Sequence, residues 1–455
     1  MSAVDALSTT DPTNAADAAQ APGPAHEPTV VTGIGVAAPN GLGTERFWAA
    51  ALAGRGGIAE LTRFDASASP SRLAGQITDF EAGEHLPGRL LPQTDVSTRY
   101  ALAATAWALE DAGVHPESHP APGRPADYDM GVVTANATGG FEFTHREFRK
   151  LWTQGPEFVS VYESFAWFYA VNTGQISIRH GMRGPGAALV AEQAGGLDAL
   201  GHARRTIRGG TPLVIGGGVD SALDPWGWAS QQAGGRVTRS TDPERAYRPF
   251  HPDADGYVPG EGGALLVLEA ASSARRRGAP AVYGEIAGCA STFDPRPGSG
   301  RPPTLRRAAE LALAEAGLAP GDIDVVFADA AGVPELDRAE AEAITGLFGP
   351  RGVPVAAPKV LTGRLYAGGG PLDVACALLA IRDGVIPAVP AATAGADPGA
   401  AGGLDLVTGE PRPARVRAAL VLARGRWGFN SAVVVRAAPP LSSSAAPSRD
   451  ERIHP

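Results

Sequence analysis

Short apolar runs alternate along the chain with longer runs in which alanine and leucine recur at helical spacing. "TVVTGIGVAAP" (Thr29 to Pro39) is β-branched and apolar almost throughout, the pattern of a buried strand. "TRYALAATAWALEDAGV" (Thr98 to Val114) has helical spacing, and Gly113 stands where such a helix ends. An acidic link and a second apolar run, "DYDMGVV", follow. That order then returns. "TLRRAAELALAEAGLAPGDIDVVFADAAG" (Thr304 to Gly332) repeats helix, glycine, acidic link and strand, with "EDAGV" echoed by "AEAGL" and "DYDMGVV" by "DIDVVFA".

The echo continues downstream. "GPGAALVAEQAGGLDALGHARRTIRGGTP" (Gly184 to Pro212) and "GVPVAAPKVLTGRLYAGGGPLDVACALLAIRDG" (Gly352 to Gly384) each run from an apolar strand through a Gly-rich turn into an Ala-rich helix. "VYGEIAGCAST" (Val282 to Thr292) answers the first strand. The pattern predicts an α/β protein made of two related halves, about 28–270 and 280–436. Residues 1–27 and 437–455 are rich in Ala, Pro, Ser and Thr with little that could pack, and are predicted to be disordered extensions.

Composition narrows the function. With 44% hydrophobic and 19% charged residues, the 455-residue chain reads as a compact soluble protein. A net charge of -9 argues against nucleic acid or an anionic membrane as the main partner. The two cysteines, Cys289 and Cys376, sit in apolar contexts without metal-ligand spacing, so no metal site and no disulfide is expected. The first residues lack the basic start and apolar core of a signal peptide. No apolar run reaches the ~18 residues of a membrane span, and a cytoplasmic location is expected. The glycine runs at 216–218 and 260–263 lack a Walker pattern and read as tight turns.

Candidate chemistry centres on "LVAEQAGGLDALGHARRTIRGG" (Leu189 to Gly210). An apolar lead-in, a small-residue turn and a helix make the seat on which many α/β enzymes mount a nucleophile. The residue at that turn is Gln193, and an amide cannot attack a carbonyl as a thiolate can.

The chain resembles the β-ketoacyl synthases of the thiolase fold, in four segments taken in order. These are "VVTGIGVAAPNGLGTERFWAALAGRGGI", "YRPFHPDADGYVPGEGGALLVLE", "PVAAPKVLTGRLYAGGG" and "GRWGFNSAVVV". The resemblance implies a pseudo-duplicated fold layered α-β-α-β-α. A condensing member of that family has Cys where Gln193 stands and two histidines in its second half. Asp329 falls at the first histidine position when Asp337 and Glu340 are matched to the family, and Arg364 falls at the second, after the retained Lys359. After His251 the next histidine is His454. Nucleophile and both histidines are absent together. That pattern resembles the chain-length factors, the Cys-less β subunits of type II polyketide ketosynthases, and "EQAGGLDAL" and "VYESFAWFYAVNTGQISIRHGMRGP" (Val161 to Pro185) fit that subfamily.

The resemblance implies a heterodimer with a Cys-containing ketosynthase, substrates carried on the phosphopantetheine of an acyl carrier protein, no other cofactor, and a role in aromatic polyketide biosynthesis. It implies that "ATGGFEFTHREFRKLW" (Ala137 to Trp152) supplies the gate that sets chain length, through Phe141, Thr144 and Phe148. Their spacing puts them on one helical face; read from spacing alone, the two phenylalanines would be ordinary core. Bulky residues there point to an octaketide-sized product. "SVYESFAWFYAVNTGQISI" (Ser160 to Ile178) is expected at the subunit interface.

Two other readings stay open at this point. Gln193 could donate to a malonyl thioester oxygen, with Lys359 keeping positive charge nearby, and so support decarboxylation to the acetyl primer. Alternatively Gln193 fills an old pocket with its hydrogen bonds met locally, and Lys359 pairs with Asp329 or Glu335. The subunit would then be inert in chemistry, or purely a structural partner.

Overall fold

The computed structural model describes residues 27–115, 127–394 and 402–438, so the expected terminal extensions lie almost wholly outside the described residues. Ten strands frame the two halves. The first half holds β1 (Thr29–Ala38), β2 (Met130–Ala135), β3 (Gly186–Leu189), β4 (Leu213–Asp220) and β5 (Gly262–Ala270). The second holds β6 (Gly284–Phe293), β7 (Val325–Phe327), β8 (Pro354–Ala356), β9 (Ala418–Arg424) and β10 (Phe429–Arg436). Eight helices matter to the site: α1 (Val96–Asp111), α2 (Phe141–Thr153), α3 (Val171–His180), α4 (Gly195–Arg208), α5 (Pro225–Ala233), α6 (Leu305–Ala316), α7 (Pro334–Phe348) and α8 (Gly369–Asp383).

The halves meet where β1 pairs antiparallel with β6 through Val30–Glu285 and Val31–Gly284. From that seam the order is β1-β5-β4-β2-β3 on one side and β6-β10-β9-β7-β8 on the other. Counted within each half, both read 1-5-4-2-3. The echo between Thr29–Pro39 and Val282–Thr292 is therefore the echo of the two strands at the seam.

Helix α1 covers β1, β5 and β4, while its counterpart α6 covers β6, β10 and β9. Helices α4 and α8 pack on each other and on strands of both halves, which completes the α-β-α-β-α layering. A helix between two sheets has no solvent face, so α8 is buried at every position from Gly369 to Ala380. The two central helices approach closely because each opens on paired glycines. A Cβ on Gly196 would stand 2.1 Å from the Ala367 carbonyl oxygen, and one on Gly370 would stand 2.8 Å from Leu197 Cγ. Cys376 is buried in α8 and Cys289 half-buried in β6, both as free thiols.

Candidate functional site

Each central helix is entered through a tight turn, Glu192–Ala194 before α4 and Tyr366–Gly368 before α8. Both turns begin with a non-glycine residue in the left-handed region, Glu192 at φ 51° and Tyr366 at φ 50°. Such conformations are uncommon for bulky residues and cluster at functional sites. The strand, tight turn and helix expected from the sequence at Gln193 are therefore present, and the left-handed Glu192 adds a strain the sequence did not announce. Gln193 is buried, and its amide spans the two turns. Oriented to satisfy both partners, it donates to the Tyr366 carbonyl at 3.0 Å and accepts from the Tyr366 N–H at 3.1 Å.

Asp220, at the end of β4, ties the same place together. Its buried carboxylate accepts from the Ala137 N–H (2.9 Å), the Thr138 N–H (3.1 Å) and hydroxyl (2.8 Å), and the Ala367 N–H (3.0 Å). Burial pushes its pKa up to about 7 against the pull of those donors.

Asp329 and Arg364, the positions matched to the missing histidines, bind each other. The guanidinium is bidentate on the carboxylate, with both contacts at 3.1 Å, and also donates to the Asp329 and Arg424 carbonyls at 3.0 and 3.2 Å. Burial alone would lower the Arg364 pKa, but Asp329, Tyr247 and Glu192 outweigh it and hold it well above the ordinary value. Glu340 on α7 fixes the loop bearing Asp329 by accepting the N–H groups of Asp329 (2.6 Å) and Ala330 (2.8 Å). Asp337 accepts from Gly332 (3.0 Å) and Phe250 (2.9 Å).

Lys359 does not pair with Asp329 or Glu335. Its Nζ is 2.6 Å from Asp373 Oδ2 and also donates to the Ala328 carbonyl. The pair is buried on both sides, and burial lifts Asp373 to about 6 although Lys359 pulls it down. The reason is local. Asp373 lies in the first turns of α8, against the turn carrying Lys359, while Asp329 is already saturated by Arg364 and the Arg424 N–H at 3.0 Å.

Glu192, next to Gln193, lines a cleft of about 560 Å³ with Tyr257, Arg364, Arg424, Arg426 and Trp427. The positions expected to form one site thus converge. What they offer is an amide engaged at both ends and a closed ion pair, without a thiol or an imidazole. Truncating Asp329 to Ala would leave Arg364 buried without its countercharge. We expect Asp329→Ala to cost about 3–5 kcal/mol of stability, read from the denaturant midpoint; a loss below about 1 kcal/mol would show that solvent reaches the pair.

A second group of side chains lies at α2. Phe141 stacks on Trp226 of α5, with centroids 5.1 Å apart and planes at 18°, and Phe148 meets the same indole at 6.0 Å and 31°. Thr144 lies between them in sequence and is buried, while Phe148 is 42% exposed in the isolated chain. The ordinary-core reading therefore fails for Phe148. The start of α2 has no side-chain cap of its own, since Gly140 stands at its N-cap. Asp95 supplies one from α1, accepting the Phe143 N–H at 2.9 Å through one oxygen and capping α1 at Ser97 N through the other at 2.8 Å.

Sequence reasoning missed Trp226. Its only signal was Asp224-Pro225, an N-cap followed by proline at the first helical position, which marks a helix start but not where the next side chain points.

The segment expected at an interface is not one helix but a short turn of helix, Glu163–Ala166, and then α3. Its aromatics are not buried in the single chain: Trp167, Phe168 and Tyr169 are 48%, 48% and 39% exposed. With Leu90, Phe165, Val171 and Ile178, Phe168 lines an apolar depression of about 590 Å³. Patches of this kind mark association surfaces. Among the described residues no helix is long and apolar enough to cross a membrane, and no cluster of His, Cys, Asp or Glu is placed to hold a metal.

Residues 26–274 match the N-terminal domain of the β-ketoacyl synthases and residues 283–393 the C-terminal domain. The chain is 68% identical over 407 residues to the actinorhodin polyketide β-ketoacyl synthase 2 of Streptomyces coelicolor, covering 90% of this chain and 98% of that one. It is 59% identical over 410 residues to the tetracenomycin polyketide synthase ketoacyl synthase β subunit of Streptomyces glaucescens, again over 90% and 98%. The solved ishigamide ketosynthase/chain length factor superposes with a TM-score of 0.81 at 26% identity, over 91% of this chain and all of that one. With its duplicated fold and its turn lacking a nucleophile, the chain belongs to the β-ketoacyl synthase family, on the branch of the polyketide β subunits known as chain-length factors.

Proposed function

We propose that this chain is a chain-length factor: it pairs with a Cys-containing ketosynthase, closes the far end of the partner's tunnel, and sets where elongation stops. The observation that carries the reading is the pairing of Asp329 with Arg364 beside a Gln193 whose amide is held by both backbone groups of Tyr366. Such a site holds no acyl group and polarises no thioester, so the subunit contributes walls. The nascent poly-β-ketone stays on the partner's thiol and grows against the face carrying Phe141, Thr144 and Phe148, with Trp226 behind the two phenyl rings. The bulk of those rings favours an octaketide-sized product. Malonyl units arrive on the phosphopantetheine arm of an acyl carrier protein, and a cytoplasmic setting belongs to this reading because those thioesters are made there.

Engagement of Gln193 by Tyr366 and of Lys359 by Asp373 favours the filler reading over the decarboxylase. The Tyr366 contacts fix the plane of the Gln193 amide, so its second N–H cannot be re-aimed at a malonyl oxygen without breaking them.

The apolar surface around Phe168 is where the partner ketosynthase docks in this account. A buried aromatic anchor at such a surface contributes at least about 2 kcal/mol, and a carboxylate in its place adds a desolvation cost. Phe168→Asp is therefore expected to abolish co-purification with the co-expressed ketosynthase while the chain itself stays folded. Undiminished co-purification would move the interface elsewhere.

A further inference from the structure

Resting on the gate reading above, we propose that His145 is a positioning residue for product length, which ties the gate helix to the helix bearing Trp226 through Asp224. Among the polar contacts of helix α2, two flank the start of the gate face. Its N-terminus is held by Asp95, and one turn later His145 Nδ1 lies 3.3 Å from Asp224 Oδ1. His145 falls between Phe141 and Phe148, so the polar tie sits between the two aromatic contacts with Trp226.

Asp224 is no free surface acid. Its side chain is 3% exposed and caps α5, accepting the N–H groups of Trp226 at 2.9 Å and Gly227 at 3.3 Å. The carboxylate that fixes the backbone of Trp226 is thus the one that receives His145. Nδ1 is the ring atom that faces α5, and it meets the buried carboxylate as a close N···O contact that sets the side of the ring turned toward that helix. An exposed ion pair would contribute little. Here one partner is buried and already immobilised by two backbone donors, so the contact transmits the position of α5 to α2. Loss of it leaves the contacts of Phe141 and Phe148 with Trp226 to hold the two helices together at the gate.

The experiment uses the full chain with its partner ketosynthase and acyl carrier protein, sizing products by mass spectrometry. Three variants are compared: His145→Ala, His145→Asn and Phe148→Ala. Asparagine places a polar nitrogen close to where Nδ1 stood and so keeps the contact with Asp224 without the ring. His145→Ala is expected to raise the ratio of longer to native-length product about fivefold or more, and His145→Asn to stay within about twofold of wild type. A merely structural role would lower yield without moving that ratio. Should alanine cost folding, His145→Leu keeps the bulk, lacks the polar nitrogen and is expected to act as alanine does. An unchanged ratio in His145→Ala beside longer products from Phe148→Ala would overturn the positioning role alone, as would Ala and Asn acting alike. Unchanged length in Phe148→Ala would remove the gate reading, and this inference with it.

Discussion

Complexes assembled with Phe148→Ala are expected to release polyketides longer by roughly one or two ketide units, the room vacated by one phenyl ring. The side chain stands over Trp226 and is 42% exposed in the isolated chain, so its loss opens space without excavating the core. Removing a packed core aromatic costs about 3–5 kcal/mol and shows as lost protein. An exposed aromatic costs far less, and the variant should keep its soluble yield. The two possibilities differ in kind, as a shift of product at normal yield or a loss of yield at constant product. Phe141→Ala should act in the same direction but with a greater loss of stability, because Phe141 stacks nearly parallel on the indole. Mass spectra of the released products decide, and a normal yield of wild-type product from Phe148→Ala would take Phe148 out of the gate.

Putting the nucleophile back should not put the activity back. Gln193→Cys installs a thiol at a turn with the right geometry, at the start of α4, where the helix N-terminus favours a thiolate. Acylation of that cysteine is therefore expected at some rate. Condensation is not, because the Asp329–Arg364 pair stands where the family resemblance places the two histidines, and neither side chain is an imidazole. Proton transfer by such groups contributes on the order of 10²–10⁴-fold each, so the single replacement should stay at least about 10²-fold below a condensing ketosynthase. The measurement is malonyl-dependent elongation by the complex with its partner's own nucleophile removed. Elongation within tenfold of the condensing enzyme would mean that the site needs no imidazole.

The duplication was legible from sequence because alternation of strand and helix is a local property, and local patterns survive when copied. Matching "TVVTGIGVAAP" to "VYGEIAGCAST" paired the two segments that meet as β1 and β6. The turn at Gln193 was legible for the same reason. Less legible was who binds whom inside the site. Lys359 was expected on Asp329 or Glu335 and sits on Asp373, since side-chain reach and rotamer decide among carboxylates that sequence leaves equivalent. That Asp329 and Arg364 would meet each other was hidden because their convergence depends on two loops, each held by other residues such as Glu340. Trp226 was hidden more deeply, because its contact with α2 crosses from one helix to another with no periodicity to announce it. The aromatics of Ser160–Ile178 were legible as a surface only through the family resemblance, since from residues alone an exposed patch and a core read alike.

This chain shapes the product while its partner performs the chemistry. The direct test incubates the wild-type heterodimer with malonyl-loaded acyl carrier protein, quenches during elongation, and weighs both intact subunits. Acyl adducts on the partner ketosynthase alone, with this chain at its unmodified mass, are the predicted result. A covalent acyl adduct on this chain would contradict it.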